Sequence, residues 1–230
     1  MALRRPSRST INLIVVGSVA YLIGLIALIP AREVIDESDN LRVGGTIWNG
    51  EAVYASALRI EWNFSPLATF THLGLTADWR LSGGGTDLTG RVTKSGKAYR
   101  LSRVSGQGDG SLLDLVSKGP PLRCRVVVDV AMESIILGGS EQEAKGRLRT
   151  SPVSCTRPGA MAPPGVLPAM QGGIAPGRLD SSGALFTRIA RQPMVQIRLT
   201  RQGALSIWTT GRADQLAPIL AGWRYETKID

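Results

Sequence analysis

The sequence predicts a mainly β protein: one N-terminal transmembrane helix, then an antiparallel, curved β-sheet or half-barrel. Three observations lead there. The run Ile11 to Ile29 (INLIVVGSVAYLIGLIALI) contains no charged residue. Beyond it, apolar residues recur with period two, as in Leu58, Ile60, Trp62 and Phe64 set against Arg59, Glu61 and Asn63. That is the pattern of a strand with one buried face. Finally, 27 glycines and 13 prolines accompany only 5% aromatic residues, a composition of short strands and many turns.

Taken in order, residues 1–10 carry Arg4, Arg5 and Arg8, whereas Glu33, Asp36, Glu37 and Asp39 follow the apolar run, close behind Arg32. The positive-inside bias assigns 1–10 to the cytoplasm and 11–29 to the membrane, single-pass, with the bulk of the chain on the far side. In a Gram-negative bacterium that is the inner membrane and the periplasm. As a helix the run spans about 28 Å at ~1.5 Å per residue, against a hydrocarbon core of roughly 30 Å. A cleaved signal peptide has a shorter apolar region and a small-residue cleavage site, which Ile29-Pro30-Ala31 matches poorly. A retained anchor is therefore the reading. Gly17, Ala20, Gly24 and Ala27 share one stripe of this helix. Small residues let helices approach closely in lipid, so the stripe offers a helix-packing face, although glycine and alanine are common in membrane helices generally.

Residues 30–43 mix charges without a period and read as a linker, and 44–230 as the exported β domain. Leu75, Ala77, Trp79 and Leu81 alternate with polar residues, as do Val126, Val128, Val130 and Met132. The pair 194–200 and 204–210 reads as a hairpin around Arg201-Gln202-Gly203. Asn49-Gly50, Ser82-Gly83-Gly84-Gly85, Ser95-Gly96 and Gly138-Gly139 supply turns between the runs. Ser65-Pro66, a cap followed by proline at the first helical position, starts a short helix to Leu73. SLLDLVS (111–117) reads as a second one. Proline and glycine dominate 151–178, which predicts a long irregular connection.

The net charge of +9 raises the question of nucleic acid. The arginines and lysines alternate with apolar residues, as on solvated strand faces, and form no dense block, so no nucleic-acid partner is inferred. The two cysteines, Cys124 and Cys155, form no CxxC, and the chain has one histidine, His72. This is a poor zinc set. In an oxidising compartment the two cysteines form a disulfide, which adds roughly 3–4 kcal/mol by the chain-entropy account. Neither a catalytic nor a metal site is predicted, and no cofactor. No nucleophile motif accompanies His72. Asp78, Asp109, Asp114 and Asp129 are readily turn or solvent-facing residues. GGGTDLTG (83–90) lacks the lysine and the strand–turn–helix setting of a phosphate loop.

The order of features is distinctive. After the anchor comes GGTIWNGEA (44–52), then LRIEWNFSP (58–66), then LTADWRLSG (75–83). This resembles the type II secretion system protein N family. Its members carry a glycine–Thr/Ser–Leu/Ile–Trp–x–glycine element after the anchor, followed by strands of the form W-x-L/F-x-P. Here these positions are Gly45, Thr46, Ile47, Trp48, Asn49 and Gly50, then Trp62, Phe64 and Pro66. The resemblance covers the anchor and roughly the first 90 residues; past residue 110 it is architectural only. It implies an accessory, non-enzymatic inner-membrane component of the machinery that exports folded proteins, with other inner-membrane secretion components as partners. Within the β domain, Trp48, Trp62 and Trp79 are expected as core anchors. Asn49-Gly50 is expected to form a tight turn that sets Trp48 at the membrane-proximal end of the sheet, in the core or at the membrane interface. The alternative is an AsmA-like periplasmic protein that binds or transfers lipid on an apolar concave face. A third possibility, a hydrolase, requires Asp78 and Asp129 to converge in one pocket.

Overall fold

The structure, a computed structural model, describes residues 8–35, 37–38, 40–54, 57–72, 74–110, 123–139, 141–156, 164–189 and 192–228, with backbone alone at 8–11, 13, 14, 23, 70–72 and 123. Helix α1 (Arg8–Ala27) leads into a 3-10 turn (Ala31–Glu33). The strands are β1 (Leu41–Gly45), β2 (Asn49–Tyr54), β3 (Leu58–Phe64), β4 (Leu75–Gly83), β5 (Thr86–Ser95), β6 (Ala98–Asp109), β7 (Arg123–Arg125) and β8 (Val127–Leu137). They continue as β9 (Glu143–Thr150), β10 (Val153–Thr156), β11 (Gly165–Leu167), β12 (Met170–Pro176), β13 (Asp180–Thr187), β14 (Val195–Thr200), β15 (Ala204–Thr209) and β16 (Arg224–Lys228). Helices α2 (Pro66–His72) and α3 (Gly211–Leu216) are short, and a 3-10 turn (Pro218–Leu220) follows α3.

Thirteen strands form one open antiparallel sheet in the order β1-β2-β3-β4-β5-β6-β8-β9-β12-β13-β14-β15-β16. Most neighbouring strands join through a tight or modest loop, as period-two segments punctuated by turn residues demand; the connections from β6 to β8, β9 to β12 and β15 to β16 are longer and carry β7, β10 with β11, and α3. The expected hairpin of 194–200 and 204–210 is β14 and β15. The two similar segments LRIEWNFSP and LTADWRLSG become the adjacent strands β3 and β4, with Trp62 directly opposite Trp79. The short helix after Ser65-Pro66 is α2.

The sheet has one apolar face and curls to bury it on itself. Val104 of β6, Met132 of β8, Ala144 of β9, Ile174 of β12 and Leu199 of β14 belong to one buried cluster. Strands β6 and β14 are separated in the sheet by four others. At roughly 4.8 Å per strand, a flat sheet would hold them about 24 Å apart. Two bulges assist the curl by tightening local twist. One lies opposite Gly90, between Thr89 and Arg91. The other lies between Met132 and Ser134. A smaller sheet, β11-β10-β7, closes one end together with α3. Its core joins Leu167, Met170, Leu185, Met194, Ala213 and Leu220 around Cys155, which is 2% exposed. Cys155 pairs in register with Cys124 of β7 and is disulfide-bonded to it, as the sequence led one to expect.

Three expectations require correction. Residues 151–178 are not irregular throughout: they contain β10, β11 and β12. Among the described residues, Pro152 and Pro164 precede strands, Pro168 lies between β11 and β12, and Pro176 ends β12, places where no ladder N–H is needed. Gly172 is required by close approach, because a Cβ there would lie 1.8 Å from the Ala184 carbonyl oxygen. Asn49-Gly50 is not the turn but the start of β2. The reversal occupies 46–48, Gly45 takes the left-handed conformation at φ +79°, and Gly50 faces the Trp62 ring, whose Cζ2 would be 2.4 Å from an added Cβ. The strand ladder also begins at Leu41, inside the stretch read as a linker. The helix expected at 111–117 lies outside the described residues.

The same device recurs at Gly90, which sits beneath Trp79. A Cβ there would meet Trp79 at 2.8 Å and Val104 at 3.1 Å. Gly90→Ala is expected to destabilise the fold by about 1–3 kcal/mol through overpacking. The loss should shrink in a Trp79→Phe background, where the ring is smaller, and urea unfolding of the four variants of the cycle measures that coupling. Additive losses would mean that the ring is not what constrains Gly90.

Candidate functional site at the helix–sheet junction

Helix α1 ends where GGTIWNGEA begins its work. The last carbonyls of a helix have no partner within it. The Ile26 carbonyl, which accepts from the Ile29 N–H at 3.4 Å, takes a second and shorter hydrogen bond of 2.8 Å from the Trp48 indole Nε1–H. Three residues further on, the Ile29 carbonyl accepts from the Ile47 backbone N–H at 3.1 Å, and Pro30 bridges to Thr46. The Trp48 ring stands edge-on against Phe64 of β3, with centroids 4.8 Å apart, a favoured aromatic arrangement. Its backbone carbonyl accepts from the Phe64 N–H at 2.6 Å. The Ile47 carbonyl accepts from the Trp62 indole N–H at 3.2 Å. Trp48 is thus half-buried and does two things at once: its ring packs on the sheet and its N–H caps the helix.

What the junction holds is an apolar rod. Val15, Val16, Val19, Leu22, Leu25 and Ile26 are each at least 50% exposed and cover one half of the helix circumference, and Tyr21, 68% exposed, lies on the other half. Gly17, Ala20, Gly24 and Ala27 are exposed as well, and a Cβ added at Gly17 or Gly24 would have no described neighbour within 4 Å. Among the described residues, no helix is long and apolar enough to cross a membrane.

Beside the junction, the polar face of β2–β6 forms an open depression of about 880 Å³, lined by Asn49, Glu61, Asp78, Arg80, Arg91 and Arg103 among others. Register makes it. Asn63, Asp78 and Arg91 lie side by side on β3, β4 and β5, and Glu61, Arg80 and Thr89 form the next rung. Arg91 holds Asp78 through two hydrogen bonds of 2.7 and 2.9 Å. Arg80 holds Asp87 in the same forked way, at 3.0 and 2.8 Å. The Arg91 hydrogen bonds keep the Asp78 carboxyl below its ordinary value; burial opposes this, and the charges of Arg91 and Arg103 reinforce it. Arg103 occupies the bulge at φ 53°, the positive-φ non-glycine residue among those described. A glycine would be less strained there, and the arginine instead adds a cation beside Asp78.

The aspartates singled out in the sequence do not converge. Asp78 lines this depression, while Asp129 lines a separate pocket of about 470 Å³ beside Arg149. Asp109 accepts from the Thr86 hydroxyl at 3.4 Å. Asp114 and the His72 side chain lie outside what is described. Among the described residues, no three of His, Cys, Asp and Glu gather as a metal-ligand set. The arginines of the depression escaped sequence reading, because only the strand register reveals that Arg91 stands opposite Asp78. Trp79 packs against the apolar core, with Trp62 opposite it in register, and both also border the depression; the buried Trp79 indole N–H finds no acceptor. No known protein family, curated protein or solved structure matches this chain.

Two outcomes are expected. Trp48→Phe keeps the ring contact and removes the helix cap, at about 1 kcal/mol for the hydrogen bond. Spin labels at Leu22 and Arg59 should then show a broader distance distribution by pulsed electron resonance, and an unchanged one would refute the clamp. Asp78→Asn should weaken the fold slightly at neutral pH, within the ~0–1 kcal/mol typical of exposed ion pairs. Because the folded carboxyl is the stronger acid, its contribution is complete above the ordinary value of 3.8 and disappears as pH falls through the folded value below that. Urea midpoints of wild type and variant should therefore differ at pH 7 and converge on acidification.

Proposed function

We propose that the chain is a membrane-anchored structural component of the type II protein secretion machinery, with its β domain in the periplasm and no catalytic role. The observation that carries the reading is the junction. An apolar helix, exposed on all sides, is fastened by Trp48, Ile47 and Pro30 to a rigid sheet. A helix apolar all round needs a nonaqueous surround, and a lipid bilayer supplies one for residues 11–29. The disulfide suits an oxidising compartment such as the periplasm. The polar depression and the helix stripe of Gly17, Ala20 and Gly24 are surfaces for other inner-membrane secretion components. The concave apolar side is occupied by side chains from both halves of the sheet, which favours assembly over lipid carriage.

The test is cross-linking of the chain in native membranes, followed by mass spectrometry of what co-purifies. Enrichment of other inner-membrane secretion components, lost on Gly24→Leu, is the expected result. Recovery of the chain alone and loaded with phospholipid would replace this reading with the AsmA-like, lipid-binding one.

A further inference from the structure

The two edges of the large sheet are treated differently. An edge strand presents unpaired backbone groups, and most proteins block them. At β1 the block is visible. The outward N–H of Val43 donates to the Glu37 carboxylate at 3.0 Å, and that of Leu41 donates to the Ser38 carbonyl at 3.0 Å. At β16 no strand pairs with the outer side among the described residues. The Thr209 N–H donates to the Trp223 carbonyl, and Ile207 faces Tyr225. Antiparallel alternation therefore turns the backbone groups of Tyr225 and Thr227 toward β15 and those of Arg224 and Glu226 outward.

We propose that two copies of the chain join edge to edge through β16, antiparallel and centred on Tyr225. The sequence of the strand, RYETK (224–228), is self-complementary about that centre. Arg224 of one copy falls opposite Glu226 of the other, and the two-fold axis repeats the pair. Both residues carry outward backbone groups, so these pairs are also the ones that exchange main-chain hydrogen bonds. Arg224 and Glu226 lie on the exposed polar face and already form an ion pair within the strand, which the second copy extends to four alternating charges. Opposite charges across strands stabilise a pairing and like charges oppose it, so a shift of register by two, which sets Glu226 opposite Glu226, is disfavoured. On the other face Tyr225 meets its symmetry mate, and Thr227 meets Trp223. A five-residue contact is small, so the dimer is weak and concentration-dependent. The net charge of +9 on each copy opposes approach over distance but is screened beyond about 8 Å at physiological salt. This pairing is independent of the secretion reading.

The test uses the full chain in detergent, where the native cysteines are already bridged as Cys124–Cys155. Tyr225→Cys places two thiols across the axis at a non-hydrogen-bonded pair, with Cα atoms about 4.5 Å apart, within disulfide reach. Thr227→Cys sets them four residues out of register, beyond it. Mild oxidation should link the first variant into dimers and leave the second monomeric. Separately, sedimentation should show Glu226→Arg weakening the wild-type dimer by about tenfold, as two attractive pairs become repulsive. Adding Arg224→Glu to that variant should restore it. Sedimentation of the wild type as a monomer at every concentration, or equal linking of both cysteine variants, would overturn the proposal. So would a dimer insensitive to residues 224 and 226 but lost on Gly24→Leu, which would place the contact on α1.

Discussion

A long antiparallel ladder with one apolar face must find something to cover that face, and this chain covers it with the ladder itself. The hydrophobic side chains of β6, β8, β9, β12 and β14 reach one another only because the sheet bends around them. Bending needs local relief: bulges at Thr89/Arg91 and Met132/Ser134, and glycines where two backbones or a backbone and an indole approach too closely for a Cβ. Trp62 over Gly50 and Trp79 over Gly90 are the same solution used on successive strand pairs, a large ring filling the space its glycine neighbour leaves. The smaller sheet and α3 stop the open end of the curl, and the disulfide ties that stopper to itself through the buried Cys155.

The other end of the sheet is governed by the junction with α1. The short loop is tied to the end of α1 by the Trp48 indole and, just beyond the helix, by the Ile47 N–H, whose bond to the Ile29 carbonyl belongs to the Pro30–Thr46 bridge. Trp48 is suited to this because it combines a large apolar ring with one donor. Phe64 takes the ring and the Ile26 carbonyl takes the donor. The polar depression lies next to this junction and is built on the same strands, so its arginines and carboxylates are held at a set position relative to the helix. Placing both on β2–β5 couples the orientation of the rod to the orientation of the charged surface. The asymmetry of the sheet edges follows from the same layout. The edge next to the helix is sealed by Glu37 and Ser38, whereas among the described residues no strand pairs with the outer side of β16.

Much of this was legible in the sequence. Period-two alternation announced β3, β4, β14 and β15, Ser65-Pro66 announced α2, and the two cysteines announced their bond. These signals are local, or involve a pairing with no competitor. Two of the misreadings share a cause. Asn49-Gly50 and the glycines of 151–178 were read by their freedom in turns, whereas Gly50 and Gly172 are there because a neighbour leaves no room for a side chain. That requirement is invisible until the neighbour is known.

The sequence alone determined which residues alternate, where strands stop, that an apolar helix precedes them, and which cysteines could pair, because each of these depends on side chains a few positions apart or on a unique partner. Only the tertiary structure decided that the ladder curls on itself, that Asp78 meets Arg91 and Asp129 stands apart, that Trp48 caps the helix, and which edge is sealed. These depend on register and curvature, which arise from the sum of many weak contacts between distant strands rather than from any one stretch of chain.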